Sequence, residues 1–187
     1  MANVADSTYR FFGSEETLNT LMSKINIYDR FVTVVKNLGG DPTGSLRGEV
    51  CWTQRENNWV WMDAITDWNI QPDFIHRMHE IFKDDKDFRI EWRCSEPGNQ
   101  VFYSNVRGAI DGEYIGFVDE VEEHFSTDGD TMAYFDKWAK AENVEHPEWE
   151  DFENMQEWLE KWSDEHDNRY VRAFKFDIEF DEDTPDE

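Results

Sequence analysis

The order in which two apolar periods alternate along residues 7–105 constrains the fold more than any other feature of the chain. Apolar residues at every second position are typical of half-buried strands, and apolar residues at every third or fourth position are typical of helices. Here the two patterns follow one another as strand, helix, two strands joined by a tight turn, helix, and two further strands. This order predicts an α+β fold of ferredoxin-like type, in which both helices pack on one face of an antiparallel sheet.

The first helix has a clear start signal. Ser14 follows a strand predicted over 7–13 and fits the N-cap position, and two glutamates occupy the first turn, where the helix dipole favours carboxylates. The next segment, 28–40, has apolar residues at helical spacing and a stop signal at Gly39, while its β-branched residues would also suit a strand. We favour the helix.

The middle of the segment predicts a β-hairpin and a second helix. Val50 and Trp52 alternate with polar residues, a polar turn follows, and Trp59 and Trp61 resume the alternation. Pro72 then opens a helix, because a proline fits the first helical position. The apolar side chains on its core face are Phe74, Ile75, Met78, Ile81 and Phe82, and those of the strand that follows are Phe88, Ile90, Trp92 and Cys94.

Several motifs in this region resemble a known family. Arg47 and Gly48 open the hairpin, Trp68 precedes the second helix, and an E-P-G turn at 96–98 leads into the aromatic strand 101–105. Over residues 1–125 this pattern is similar to the YubB-type ferredoxin-like domains of plasmids, phages and gut bacteria. The resemblance implies the ferredoxin-like fold and implies no activity, since the family has no established chemistry.

The C-terminal part of the chain has a different character. Residues 1–110 are expected to form the ferredoxin-like core, and residues 111–187 an acidic, helix-rich region that packs on it. Within that region, 113–125 fits a strand followed by a helix. Asp130 or Thr131 is expected to cap the next helix.

The last helix and the last strand complete the pattern. Pro147 suits the first turn of a helix that carries three tryptophans and nine carboxylates over 147–167. An alternating segment over 170–180 predicts a half-buried final strand. The apolar stripe expected to face the core of the helix is Trp149, Phe152, Met155, Leu159 and Trp162.

The net charge of −25 is concentrated in the C-terminal region. Residues 1–110 contain 16 acidic and 12 basic residues, a net charge of −4, whereas residues 111–187 contain 27 acidic and 6 basic residues, a net charge of −21. Such a balance argues against binding nucleic acid or an anionic membrane, because both need a basic surface. It also disfavours a halophilic origin, which predicts acids spread over the whole surface.

We interpret the acidic region as a surface that binds a basic protein partner. Crowded carboxylates repel one another and lower stability, so their accumulation indicates a use. Ordered carboxylates can imitate the phosphates of DNA, as in small acidic proteins of phages and mobile elements that block restriction or CRISPR systems, so the partner could be a nucleic-acid-binding defence protein. The expected contact residues are Glu120, Glu123, Glu148, Asp151, Glu153, Glu157, Glu160 and Asp164.

Two alternatives stay open. The acids could only keep a tryptophan-rich cytoplasmic protein in solution. The hairpin tryptophans could instead line a small-ligand or hydrolytic site, although core packing is favoured because basic neighbours are scarce around them in the sequence. These tryptophans are Trp52, Trp59, Trp61 and Trp68.

The search for catalytic or metal-binding motifs gives no candidate residues. Asp73, His76 and His79 have helical spacing, yet no further ligand type lies nearby, and we interpret the histidines as surface residues. No nucleophile motif, phosphate-binding loop or cofactor motif is present in the sequence. A non-catalytic protein without a cofactor is therefore expected.

The cysteines and the N-terminal segment indicate the compartment. Cys51 and Cys94 lie in apolar strand-like segments and are expected to be buried free thiols, with a disulfide as the alternative. The first residues have neither the basic start nor the apolar run of a signal peptide, and no apolar segment approaches membrane-spanning length. A cytoplasmic protein is expected.

Overall fold

A computed structural model of the chain describes residues 4–108 and 110–178. The chain folds into two compact units. The first unit contains the described residues up to Val106 together with Ile178, and the second spans Arg107–Asp177. The described residues form a mixed α+β structure with five α-helices, one six-stranded sheet and one three-stranded sheet.

The first unit is built on the six-stranded sheet, whose strand order is β2-β3-β1-β4-β5-β9. The central strand β1 pairs antiparallel with β3 and with β4. Its elements are β1 (Val4–Phe12), α1 (Glu15–Lys24), α2 (Phe31–Asn37), β2 (Gly48–Arg55), β3 (Trp59–Asp67), α3 (Pro72–Ile81), β4 (Arg89–Glu96), a 3₁₀ turn (Pro97–Asn99), β5 (Val101–Ser104) and β9 (Asp177–Ile178).

The core of the first unit lies between one face of this sheet and its helices. Alternate residues of β1 are buried, including Tyr9 and Phe11. The Tyr9 ring meets Phe31 of α2 and Phe74 of α3 edge-on, and the latter two rings stack with centroids 3.9 Å apart. Aromatic pairs in these geometries stabilise beyond the area they bury. The three rings therefore join both helices to the central strand.

The helix predictions for the first unit are confirmed. Ser14 caps α1 by accepting a hydrogen bond from the Thr17 amide, Pro72 stands in the first turn of α3, and the ambiguous segment forms the helix α2. Close packing explains why the second residue of the Arg47–Gly48 pair is a glycine. A Cβ at Gly48 would lie 2.6 Å from the Phe31 ring, so only glycine lets β2 approach α2 this closely.

The expected burial of both cysteines is correct for Cys94 and wrong for Cys51. Both are free thiols; Cys94 is buried and Cys51 is exposed. The register between β2 and β3 shifts between Val50 and Trp52, so Cys51 is the extra residue of a bulge. A bulge breaks the two-residue alternation, which sequence spacing alone does not reveal.

The second unit is built on the three-stranded sheet, whose order is β7-β6-β8 with both pairings antiparallel. A second apolar core lies between this sheet and two helices, and it includes Phe135, Met155 and Leu159. The elements are β6 (Tyr114–Val118), β7 (Val121–Phe125), α4 (Asp128–Glu142), α5 (Phe152–Glu165) and β8 (Val171–Lys175).

Three local predictions for the second unit are wrong. Residues 113–125 form a β-hairpin and not a strand followed by a helix, because Asp119 adopts a left-handed conformation (φ 54°) that turns the chain back. Thr127, and neither Asp130 nor Thr131, caps α4; its hydroxyl accepts from the Asp130 amide at 3.1 Å. Pro147 precedes α5, which begins only after Asp151.

The predicted final strand is divided into two. Residues 171–175 form β8 in the three-stranded sheet, and 177–178 form β9 in the six-stranded sheet. The end of the predicted strand, 179–180, lies outside the described residues. Among the helices of the described chain, none has the length and apolar character needed to cross a bilayer.

Replacing Asp85 with alanine tests the link between α1 and the loop after α3. Asp85 accepts hydrogen bonds from the Thr17 hydroxyl at 2.5 Å and the Ser14 amide at 2.8 Å, and these lower its pKa from 3.8 to about 2. A lowered folded-state pKa stabilises the fold above the ordinary pKa and ceases to do so as the pH falls through about 2. We expect Asp85→Ala to lower the free energy of unfolding by about 1 kcal/mol at neutral pH. That difference should shrink between pH 4 and pH 2 in urea unfolding followed by circular dichroism.

The exposed neighbour Asp84 offers a matched control. Asp84→Ala removes the same charge from the same loop and should leave the free energy of unfolding nearly unchanged. A difference between wild type and Asp85→Ala that stayed constant over the acid range would contradict the linkage.

The thiols should react at two different rates. In the native protein a colourless aromatic disulfide reagent should titrate one thiol, Cys51, and the second only after denaturation, because Cys94 is fully buried. Partial burial raises the pKa of Cys51, so even this thiol should react more slowly than a free thiol at neutral pH. Cys51→Ser should abolish the native reaction. Two reactive thiols in the native wild-type protein would contradict the burial of Cys94, and none would contradict the exposure of Cys51.

Candidate acidic and aromatic binding surface

Helix α5 is held in place by a row of buried apolar side chains and by the hydroxyl group of Ser163. Phe152, Met155 and Leu159 are buried in the core of the second unit, at the spacing of one helix face. The Ser163 hydroxyl donates to the Arg169 carbonyl at 2.7 Å and accepts from the Val171 amide at 3.1 Å. The helix is thereby joined to the start of β8, and its glutamates at 153, 157, 160 and 165 remain exposed.

Four of the predicted contact residues form one line along α5, which we call the acidic stripe: Glu153, Glu157, Glu160 and Asp164. At 100° per residue these positions fall within about 60° of one another, and at 1.5 Å per residue they span about 16 Å. All four are exposed. Asp164 pairs with Arg172 at 2.6 Å, whereas the three glutamates form no ion pair with any residue that the structure describes.

The other four predicted residues do not extend this line. Glu148 is exposed in the segment before α5, and Asp151 is the N-cap of α5, accepting from the Asn154 amide at 2.8 Å. Glu120 lies in the turn between β6 and β7, and Glu123 lies on β7. Since β7 and β8 are opposite edges of the sheet and α5 packs on β8, Glu123 lies on the edge strand away from α5. The turn that contains Glu120 is joined to the start of β8 by the hydrogen bond from the Asp119 amide to the Tyr170 carbonyl.

The charge of the second unit is largely uncompensated. Residues 107–177 carry 21 acidic and 7 basic residues, a net charge of −14, and six further acids fall in 179–187, outside the described chain. Arg169 is held by Asp119 at 3.0 Å and by Glu142 at 3.5 Å. The two arginines near α5 are thus already engaged, and the acidic stripe faces solvent with only Asp164 neutralised.

A row of stacked rings lies beside α5, and we call it the aromatic ladder: His146, Trp149, Trp158, Trp162 and His166. The His146 and Trp149 rings stack with centroids 4.1 Å apart, and the Trp162 and His166 rings stack at the same distance. Between these two pairs, Trp158 lies 6.2 Å from Trp149 and 6.4 Å from Trp162. Four members are half-buried, and His166 is exposed.

The ladder was missed in the sequence, and one correction explains why. The sequence predicts Trp149 and Trp162 on the core stripe of a helix starting at Pro147. Both rings are half-buried and pack against the second core, but Trp149 precedes the helix. The available signal was the spacing of Trp158, Trp162 and His166. Positions four residues apart lie on one side of a helix, so this run predicts a continuous aromatic edge.

The tryptophans of the first unit are also placed differently than expected. Trp52 and Trp68 are 51% and 56% exposed, so core packing is wrong for both. The Arg10 guanidinium lies 5.3 Å from the Trp59 ring and 5.0 Å from the Trp61 ring, which corrects the view that basic neighbours are lacking.

Strand pairing explains the Arg10 contact, because Arg10 of β1 stands opposite Trp61 of β3, 51 positions away in the chain. The same guanidinium lies 3.7 Å from the Glu91 carboxylate. The positive charge beside these rings is therefore compensated inside the first unit.

The histidines of α3 have ordinary neighbours. His76 lies 3.6 Å from Glu80, and the His79 ring meets Phe88 edge-on. Asp73 accepts a hydrogen bond from the Ser45 amide. Within the described residues, no group of three or more His, Cys, Asp or Glu side chains could hold a metal ion.

Comparison of the chain with protein-family models, with curated proteins and with solved structures finds no match. The surface on α5 is thus interpreted from its own geometry and charge.

Replacing Ser163 with alanine should weaken the second unit. The substitution leaves the Val171 amide and the Arg169 carbonyl without their partner, and an unmatched buried polar group costs about 1–3 kcal/mol. Thermal or urea unfolding should show this loss. Ser23→Ala is the matched control, because the Ser23 hydroxyl is exposed and donates only to the Thr20 carbonyl of its own helix. Equal stability of the two variants would argue against the anchoring role.

Proposed function

We propose that this protein is a non-catalytic binding protein whose acidic stripe engages a basic surface of another protein. The observation that carries the proposal is the row of three exposed glutamates, Glu153, Glu157 and Glu160, that lack cationic partners among the described residues. Exposed like charges a few ångströms apart repel one another, and a basic partner removes that cost on binding. The same charges steer the partner toward the surface before contact.

In its sharper form the proposal names a partner that normally binds nucleic acid. The three unpaired charges, at Glu153, Glu157 and Glu160, lie along about 10 Å and give one charge per about 5 Å, against one per 3.4 Å along a single strand of duplex DNA. The stripe therefore approaches the charge density of one DNA strand within a factor of two. A rigid helix holds these charges in a fixed line, so a groove shaped for phosphates could accept it. A nucleic-acid-binding host defence protein is the partner class we propose.

The first unit serves in this proposal as the scaffold. Its strand order β2-β3-β1-β4 and the helices between the strands support a ferredoxin-like arrangement, and we propose the relation to YubB-type domains on the same residues as before. The free thiols Cys51 and Cys94 fit a reducing compartment, which supports a cytoplasmic location.

Neutralising the stripe tests the proposal. The triple variant Glu153→Gln, Glu157→Gln, Glu160→Gln keeps the Asp164–Arg172 ion pair and removes three charges. Tagged wild type should capture from a bacterial lysate a basic protein that short duplex DNA elutes, and the triple variant should capture at least about tenfold less. That loss corresponds to about 1.4 kcal/mol. Raising the salt concentration should weaken capture by wild type more than by the variant.

The control carries the same change in charge on the first unit: Glu16→Gln, Glu56→Gln, Asp84→Asn, three exposed positions. It should capture as wild type does. Equal capture by both triple variants would favour the alternative in which the acids only solvate the protein. A partner that depends on the stripe but is not displaced by DNA would overturn only the nucleic-acid-binding form of the proposal.

A further inference from the structure

We infer that the aromatic ladder selects arginine over lysine in the partner segment that lies along α5. The inference rests on the proposed function, since it concerns the same partner, and it adds the chemistry by which that partner is recognised. The occupant is a peptide segment that presents arginine side chains to the rings and to the carboxylates beside them.

The ladder and the acidic stripe border the same exposed part of α5. At 100° per residue, Trp158 and Trp162 lie about 130° and 170° round the helix from the middle of the stripe. The arc between the stripe and the tryptophans is formed by exposed residues, including Lys161 and Glu165. The buried row of Phe152, Met155 and Leu159 occupies the opposite side. A segment lying along this arc meets carboxylates on one side and the half-buried rings of Trp158 and Trp162 on the other.

The second unit already binds two of its three arginines in this way; the third, Arg107, lies 3.9 Å from Glu113. The Arg169 guanidinium lies 5.9 Å from the centroid of Trp162 while it pairs with Asp119 and Glu142. Arg172 repeats the arrangement, at 5.7 Å from the Tyr170 ring and 2.6 Å from Asp164.

The lysines of the unit behave differently. Lys137 and Lys161 form no ion pair with any described residue, Lys140 pairs with Asp136 without a ring, and Lys175 approaches the Tyr114 ring at 5.4 Å without an ion pair in the described chain. The combination of ring and carboxylate is therefore used by arginine alone among the described ion pairs of this unit.

The reason for the preference lies in the shape and hydration of the two cations. A guanidinium is planar, stacks on a ring and still directs its N–H groups to a carboxylate, whereas an ammonium is a strongly hydrated point charge. Stacked rings with carboxylates beside them therefore suit arginine better.

The test uses the full chain and two labelled peptides of equal length and charge, one repeating Arg-Gly-Ser and the other Lys-Gly-Ser. Fluorescence anisotropy at physiological salt should show the arginine peptide binding about tenfold more tightly, equivalent to about 1.4 kcal/mol. The triple stripe variant should weaken both peptides by the same factor. Trp158→Leu should remove most of the arginine preference, whereas Trp68→Leu, at an exposed tryptophan of the first unit, should retain it.

A second measurement covers the case in which Trp158→Leu fails to fold. In wild-type protein labelled with nitrogen-15, the indole signals of Trp158 and Trp162 should shift with the arginine peptide, and the signal of Trp68 should not.

The outcomes separate the two proposals. Equal binding of both peptides, still weakened by the stripe variant, overturns the arginine inference and leaves the proposed function standing. An arginine preference that Trp158→Leu retains, or indole signals that do not move, also overturns the inference. Failure of both peptides to bind at any salt concentration overturns the inference and the acidic-face proposal together.

Discussion

The packing of α5 on β8 is the constraint on which the candidate surface depends. Phe152, Met155 and Leu159 decide which side of the helix is buried, and Ser163 joins the last part of the helix to the strand that follows. Once that side is fixed, the positions of the glutamates follow from the helical repeat. The stripe needs no ion pairs to order it, because the backbone to which it is attached is held by apolar packing and hydrogen bonds.

This arrangement also explains how a unit with a net charge of −14 can stay folded. Repulsion between exposed charges is weak in water and screened beyond about 8 Å at physiological ionic strength. The opposing contribution is large, since rings such as Phe135 and Phe152 fill a core that excludes water. The aromatic core therefore stabilises the unit enough to tolerate its excess of acidic residues.

How much of this was predictable depends on the range of the interactions involved. Local signals were sufficient for Ser14 as a cap, for Pro72 at a helix start and for the acidic line on the last helix, because each follows from neighbours within a turn. The hairpin 113–125 failed because the left-handed residue at its turn, an aspartate, gives a weaker signal than glycine or asparagine. The ladder and the Arg10 contact depend on pairs that only the folded chain brings together.

A comparison of Arg10 in the first unit with the surface of α5 shows why a count of charges alone does not identify a binding surface. In the first unit Arg10 lies against Trp59 and Trp61 and is neutralised by Glu91, so rings and cation are all supplied within one unit. On α5 the carboxylates exceed the cations, and the rings of the ladder are left partly exposed. The same combination of groups is thus complete in the first unit and lacks cations in the second. Arginines of a partner protein would supply the missing cations to these carboxylates and rings. The surplus of acids and the aromatic residues beside them therefore serve the same proposed interaction.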